Sequence, residues 1–384
     1  SMVEFLESKG QVDTCDVAHM QSDLRAREKY TYIVGMDIIE VSRQPLELLK
    51  LCRDCLSPDG HLLLGTENRY AIKYICGDRD PYTNHSFDGV ENYRRLTEAD
   101  WDVVGGRCYS MGELQDMLRR AGLVSNKFYS AMPSLQETQL IYATEYEPVE
   151  ELAMRYFPLY NYPDSVFLEE QFLYTDLIKN GLFHKMANAY IIECSMDGQL
   201  DTTLHATISL DRGRQNALVT SICEQEGGKT VLKKAIYKEG LPKLEVMQDN
   251  LLDLREQGIH VVEATITNDC FVMPFVDAPI AMNALKDLAK NNKEAFYKAL
   301  DDMYELILQS SEHTDVISEK DSNSANGRDL GVILKKGYID LVPLNCFYDA
   351  TISEPKDRFI YYDQEFYIEN CPAKVIMYRS LLII

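Results

Sequence analysis

Tyr338–Asn345 reads YIDLVPLN, an acid in an apolar run with a proline and an amide close behind. A carboxylate so placed can accept a proton from a hydroxyl, and a nearby amide can offer an oxygen to a metal. The same residues also suit a buried strand with one paired carboxylate. Spacing alone does not choose, because Asp-x4-Asn recurs at Asp211/Asn216, Asp287/Asn292 and Asp321/Asn326. Context ranks the matches. Asp321 lies in the polar run SEKDSNSANGRD, which reads as a disordered loop. Asp287 falls in a helical pattern, where an offset of five residues points far around the axis. Asp211 lies in DRGRQN, a turn between strands. Asp340 has apolar flanks and a further acid downstream, Asp363 in RFIYYDQEFY.

The elements that must position Asp340 begin near Leu182. Strand-like runs LFHKMANAYIIECS, LHATISL and ALVTSICEQ are followed by a GGK hairpin turn and the strand TVLKKAIYK. LPKLEVMQDNLLDLREQG reads as a helix, with Leu244, Met247, Leu251 and Leu254 on one stripe. HVVEATIT and DCFVMPFV give two more strands, after which AMNALKDLAK and NKEAFYKALDDMYELILQSS are helical. Strands with one helix, then helices, is an α+β order.

This order resembles the small lobe, hinge and large lobe of a protein-kinase-like fold. The resemblance implies ATP and magnesium as cofactors. It implies a phosphate-binding lysine on the third strand and a glutamate on the next helix to orient it, filled here by Lys233 in VLKK and Glu245 in KLEVM. YIDLVPLN is similar to the kinase catalytic loop. By that likeness Asp340 is the base, and Asn345 and Asp363 are metal ligands. Asp363 is followed by Gln-Glu where the family has Phe-Gly, and Glu365 reads as a further metal ligand or an ion-pair partner. DRGRQN takes the place of the glycine-rich loop with a single glycine, so Arg212 and Arg214 are the candidates for holding phosphate there.

Composition narrows the partners. The 384 residues suggest two or three domains, and 46% hydrophobic content supplies sizeable cores. A formal charge of -22 repels phosphate backbones and anionic lipid, which argues against nucleic-acid and membrane-surface roles. The ten cysteines show no disulfide spacing, and no signal peptide precedes them, so reduced thiols and a cytoplasmic protein are expected. Cys52 and Cys55 form CxxC inside an apparent helix with no second ligand pair, which argues against zinc. No run of ~18 apolar residues predicts a transmembrane helix. The leading Ser-Met reads as an expression scar. Oligomeric state is not indicated.

In the first third, YTYIVG, PLELLKLCRDCL, SPDG and HLLLGT make strand, helix, turn and strand, a βαβ unit. Ser110 and Glu113 form a capping box for a helix that Gly122 ends, and strands follow near Val124–Tyr129 and Gln139–Thr144. LSPDGHLLLGTEN and SMGELQDMLRRAGL resemble the fifth strand and following helix of class I S-adenosylmethionine methyltransferases. The last two strands are similar to that family's closing pair, and the likeness covers roughly residues 30–145. It implies an α/β doubly wound, partial Rossmann-like domain. The family binds its cofactor on a glycine-rich turn after the first strand. No GxGxG precedes Tyr30, so the segment reads as the second half of such a domain. S-adenosylmethionine is then expected only if the missing half exists in the native protein. Glu40, Glu67 and Asn68 fall at strand ends, where they either bind ligand or cap turns.

The expected organisation is therefore a partial methyltransferase-like domain over 1–147 and an aromatic-rich helical connector over 148–181. A kinase-like domain follows over 182–384, its lobes dividing at 277. The connector reads as packed core, with a groove for a sugar or lipid-linked substrate as the other reading. Together the halves resemble bacterial methyltransferase–kinase enzymes of surface-polysaccharide synthesis. That resemblance implies phosphoryl transfer to a sugar or glycan hydroxyl. A methyltransferase with a non-catalytic kinase-like module, or a scaffold without catalysis, stand as alternatives.

Overall fold

The structure is a computed structural model that describes residues 10, 29–101, 103–148, 152–316 and 330–384. The polar run containing Asp321 and Asn326 lies outside the described residues. Two compact units divide between Ile208 and Ser209.

In the first unit, the β-branched and aromatic run Tyr30–Met36 forms strand β1. Pro45–Cys55 forms helix α1, with proline in its first turn and Leu48, Leu49, Cys52 and Cys55 on its buried face. Leu56–Glu67 forms strand β2, parallel to β1 with Ile33 opposite Leu62 and Gly35 opposite Leu64. Parallel neighbours need a crossover, which α1 supplies. Helix α2, Met111–Ala121, carries the Ser110/Glu113 capping box, and Gly122 ends it at φ 82, a left-handed conformation that a Cβ disfavours.

Strands β3 (Asn126–Met132), β4 (Leu140–Ala143), β5 (Ala189–Ser195) and β6 (Thr203–Ser209) complete this unit's sheet in the order β1-β2-β5-β3-β4-β6. β3 and β4 pair antiparallel, with Tyr129 opposite Ala143. β5 enters between β2 and β3, antiparallel to both, and β6 pairs antiparallel with β4. The sheet is therefore mixed, and the β1–β2 pair is its parallel part among the described strands. The sheet thereby fits the α/β class expected for this part, its antiparallel members joining a parallel pair with a helical crossover.

It also moves the expected domain boundary at 182, because β5 and β6 hydrogen-bond into the first sheet. The reason lies in β5 itself. AYIIECS is largely buried, so its backbone N–H and C=O groups are out of water and need partners on both edges, which β2 and β3 provide. Between 152 and 181 the chain makes short 3-10 turns and the helix Tyr174–Lys179. Tyr156, Glu170 and Tyr174 are buried there, while Phe157 and Phe172 are exposed.

In the second unit, β7 (Leu218–Gln225) and β8 (Gly228–Ala235) form a hairpin with Gln225 opposite Gly228, leaving Glu226-Gly227 as a two-residue turn. Gly227 and Gly228 both take positive φ there. Helix α3, Leu241–Glu256, buries the expected stripe of Leu244, Met247, Leu251 and Leu254. Strands β9 (Thr265–Thr267) and β10 (Cys270–Pro274) complete an antiparallel sheet ordered β7-β8-β10-β9.

Helices α4 (Ala281–Asn291) and α5 (Lys293–Gln309) follow, the second capped by the Asn292 side chain. β11 (His313–Thr314), β12 (Ile333–Tyr338) and β15 (Tyr367–Pro372) make a three-stranded sheet, and β13 (Cys346–Tyr348) pairs with β14 (Phe359–Tyr361). Helix α6, Ala373–Ile383, follows β15. Leu254, Phe271, Leu285, Met303, Leu334, Leu341, Phe359 and Ile376 share one core. No helix among the described residues is long and apolar enough to cross a membrane.

Candidate functional site

The loop after β12 is anchored by Leu341 and Val342, which are buried, whereas Leu344 is partly exposed and lines a cavity with Ile339. Two backbone bonds tighten it, Val342 N–H to the Asp340 carbonyl at 2.8 Å and Asn345 N–H to the Val342 carbonyl at 3.0 Å. Pro343–Asn345 is a single 3-10 turn, so Asp340 and Asn345 return to the same side. Both line a cavity of 520 Å³ together with Arg212, Asp363, Glu365, Phe366 and Arg379.

Asp340 is 6% exposed. Its Oδ2 accepts from the Phe366 N–H at 3.1 Å, and its Oδ1 faces Arg379 Nη2 of α6 at 3.5 Å. Its carbonyl oxygen accepts from Gln364 Nε2 at 3.0 Å. Burial pushes the Asp340 carboxyl up to about 6; the Arg379 guanidinium opposes this, while Asp363 and Glu365 add to it.

Strand alternation turns Lys233 inward on β8 and leaves Lys234 exposed. Lys233 Nζ donates to the Asp363 carboxylate and to Glu365 Oε1, the latter at 3.4 Å. Asp363 holds a left-handed backbone, φ 52, unusual for a residue other than glycine. Glu365 gathers three cations. Besides Lys233, Arg212 lies 3.5 Å and Lys243 3.7 Å from its Oε2. Lys243 also donates to the Glu365 carbonyl at 3.0 Å and sits 3.2 Å from the Phe366 ring centroid. Desolvation holds the Lys243 ammonium below its ordinary value, against the pull of Glu365.

Arg212 and Arg379 line the cavity beside Asp340, Asp363 and Glu365, and Lys233 and Lys243, which are not part of its lining, pair with Asp363 and Glu365.

Two expected members lie elsewhere. Glu245 is on the exposed face of α3, two positions from Lys243, because residues two apart on a helix face different ways. Arg214 is exposed, paired with Glu239 at 2.8 Å and placed over the Tyr237 ring, outside the cavity lining. Sequence reasoning missed Lys243 and Arg379. Lys243 carries the opposite charge to the residue sought on that helix, and Arg379 sits in VIMYRSLL, which reads as plain core helix. Cys52 and Cys55 both face inward from α1.

A second group of polar residues stands at the ends of β1 and β2. Glu40, from the short helical turn Ile38–Val41, is 2% exposed. Its Oε1 accepts from Thr66 Oγ1 at 2.5 Å and from the Glu67 N–H at 2.8 Å, while its Oε2 is buried without a hydrogen-bond partner among the described residues. Burial pushes this carboxyl up to about 7. Glu67 is bonded by Lys73 at 3.0 Å and by the Tyr74 hydroxyl. Asn68 is fully buried and holds backbone, donating to the Lys185 and Ala187 carbonyls at 2.9 Å each and accepting from Tyr70 N–H. For Asn68 the turn-capping reading is the one the geometry matches. Asp37 adds a half-buried carboxyl raised first by burial and then by Glu67.

No protein-family model and no curated protein matches the chain. Among solved structures it is similar to a SAM-dependent methyltransferase of Thermotoga maritima, described as a possible histamine N-methyltransferase. The identity is 15%, with 44% of this chain and 57% of that one covered, at a TM-score of 0.24. A SAM-dependent methyltransferase of Archaeoglobus fulgidus is similar at 15% identity over 50% of this chain and 71% of that one, TM-score 0.27. The chain thus spans 57% of the length of the Thermotoga protein. A likeness of this size assigns neither family nor activity.

Proposed function

We propose that residues 209–384 transfer a phosphoryl group from ATP to a sugar or glycan hydroxyl, beside a methyltransferase-like first unit. The supporting observation is convergence. Asp340, Asn345 and Asp363, from two separate segments, line one cavity, and Lys233 from a third segment donates to Asp363. In the reaction the acceptor hydroxyl gives its proton to Asp340 Oδ1 as its oxygen bonds to the γ-phosphorus. The bond from that phosphorus to its bridging oxygen breaks, and ADP leaves. The Phe366 N–H fixes Oδ2, which leaves Oδ1 as the accepting atom. Lys233 and Arg212 supply positive charge for the phosphates.

Magnesium is implied by this reading. Among the described residues no group of three His, Cys, Asp or Glu side chains forms a metal cage. A magnesium ion delivered with nucleotide phosphates needs one or two protein oxygens, and the Asp363 carboxylate and Asn345 amide fit that need. Bound there, it would neutralise phosphate charge.

ATP turnover over candidate glycans, compared between the wild type and Asp340→Ala, tests the assignment. A loss of at least ~100-fold is expected, the usual contribution of a positioned base. Equal rates would remove Asp340 from the chemistry. The acceptor class follows the resemblance to bacterial methyltransferase–kinase enzymes of surface-polysaccharide synthesis.

A second reading, methyl transfer from S-adenosylmethionine, draws on Asp37, Glu40 and Glu67 at the ends of the parallel pair, where ligands of open α/β sheets bind. Calorimetric titration with S-adenosylmethionine tests it. A chain that shows no thermal shift with ATP and magnesium and no heat with S-adenosylmethionine would be a scaffold.

A further inference from the structure

We propose that the acceptor taken by the cavity carries an oxyanion beside its reacting hydroxyl, and that Arg379 binds that oxyanion. The inference rests on the phosphotransfer reading. Its starting point is the setting of Arg379. The side chain reaches the cavity from α6, is 51% exposed, and meets Asp340 Oδ1 in an ion pair at 3.5 Å that is not a hydrogen bond. A guanidinium carries five N–H donors in a planar fork. A fork standing at a cavity wall and making no hydrogen bond to another described residue matches a carboxylate or phosphate, which it can grip through two parallel bonds.

Position gives this cation a role distinct from the others. Lys233 and Arg212 gather on Asp363 and Glu365, the side assigned to nucleotide and metal. Arg379 alone among the four pairs with Asp340, the side where the acceptor hydroxyl must dock. Resting against Oδ1, it covers the one Asp340 side-chain oxygen that the Phe366 N–H does not hold. An acceptor without an oxyanion leaves the guanidinium on the base. One that has it draws the guanidinium away and opens Oδ1 to the hydroxyl. Arg379 then selects the substrate and clears the base in one movement.

The test is calorimetric binding of glucose, glucose 6-phosphate and glucuronate to the full chain with ADP and magnesium present. The wild type should bind at least one of the two anionic sugars about ten- to a hundredfold more tightly than glucose, the worth of a hydrogen-bonded charge pair. The sugar preferred names the oxyanion. Arg379→Gln should erase that preference, while Arg379→Lys restores part of it. Melting temperatures close to the wild type in both variants separate this from unfolding. Equal affinity for the three sugars, including no binding of any, would overturn the inference, as would a preference that survives in Arg379→Gln. Failure to bind ATP with magnesium would overturn the phosphotransfer reading instead, whatever the sugars do.

Discussion

Asp340 has two carboxylate oxygens in unlike settings, and its pH behaviour follows from them. Burial raises the carboxyl to about 6, so between about pH 4 and 6, where an exposed aspartate is ionised, this one is largely protonated and cannot accept a proton. Turnover should therefore fall about tenfold per pH unit below pH 6, rather than below about pH 4. Arg379 acts against the shift, since its positive charge favours the ionised form. Arg379→Gln should move the acid limb of kcat/KM for the acceptor to higher pH, measured with saturating ATP across pH 5 to 8, because that ratio reports the enzyme before the acceptor draws the guanidinium away. A limb that stays in place would mean the rate-limiting proton is not the one on Asp340. At this scale the acid, the amide and the downstream Asp363 were visible in local patterns, whereas VLKK offered Lys233 or Lys234 and only the kinase-like resemblance picked Lys233. The sequence did not show which cations face them, because those contacts are made across long separations, 122 residues between Lys243 and Glu365.

Helix α3 shows what local patterning reveals and what it hides. Its core stripe was legible because apolar residues three and four apart must share a face. Its inward charge was not, because a kinase-like order of parts calls for an acid and the helix presents a lysine. Lys243 holds Glu365 through both side chain and main chain and lies against Phe366, whose N–H in turn fixes Asp340. Its effect on catalysis would pass through that chain of contacts, which makes it a positioning residue. Lys243→Met keeps the apolar stem and removes the charge. It should lower stability by about 1–3 kcal/mol, the cost of leaving a buried charged group short of a partner, and lower kcat more than it raises the KM for ATP. Lys243→Arg should recover part of both. Glu245→Gln should do neither, since Glu245 is exposed. Urea unfolding and steady-state kinetics on the three variants decide, and a Glu245 variant with the larger loss would restore the kinase-like pairing.

On the scale of the whole molecule, the sequence made the types of most elements readable but not the membership of β5. AYIIECS reads as a strand in any context, and nothing local says that its partners are β2 and β3, 50 or more residues back, rather than the strands after it. That is why the expected boundary fell at 182 while the division lies after 208. The segment before β5 is tied to the first unit by a group whose titration can be followed. Glu170 is fully buried, accepts from the Tyr174 hydroxyl at 2.7 Å, and lies 3.3 Å from Asn188 Nδ2. Asn188 itself accepts from Lys73 N–H and donates to the Pro133 carbonyl. Burial pushes the Glu170 carboxyl up from 4.5 to about 7. A raised carboxyl is protonated more readily in the folded chain than in the unfolded one. Its contribution is fully present below pH 4.5 and is lost as pH rises through 7. Glu170→Gln keeps a carbonyl for Tyr174 and cannot ionise, so the variant should gain on the wild type by about 1–3 kcal/mol between pH 5 and pH 8. Glu40, raised in the same sense, and His184, whose burial lowers it to about 4, titrate in both proteins and cancel in the difference. Urea unfolding at the two pH values gives the number. A difference that does not change with pH would mean that Glu170 is ionised in the folded chain.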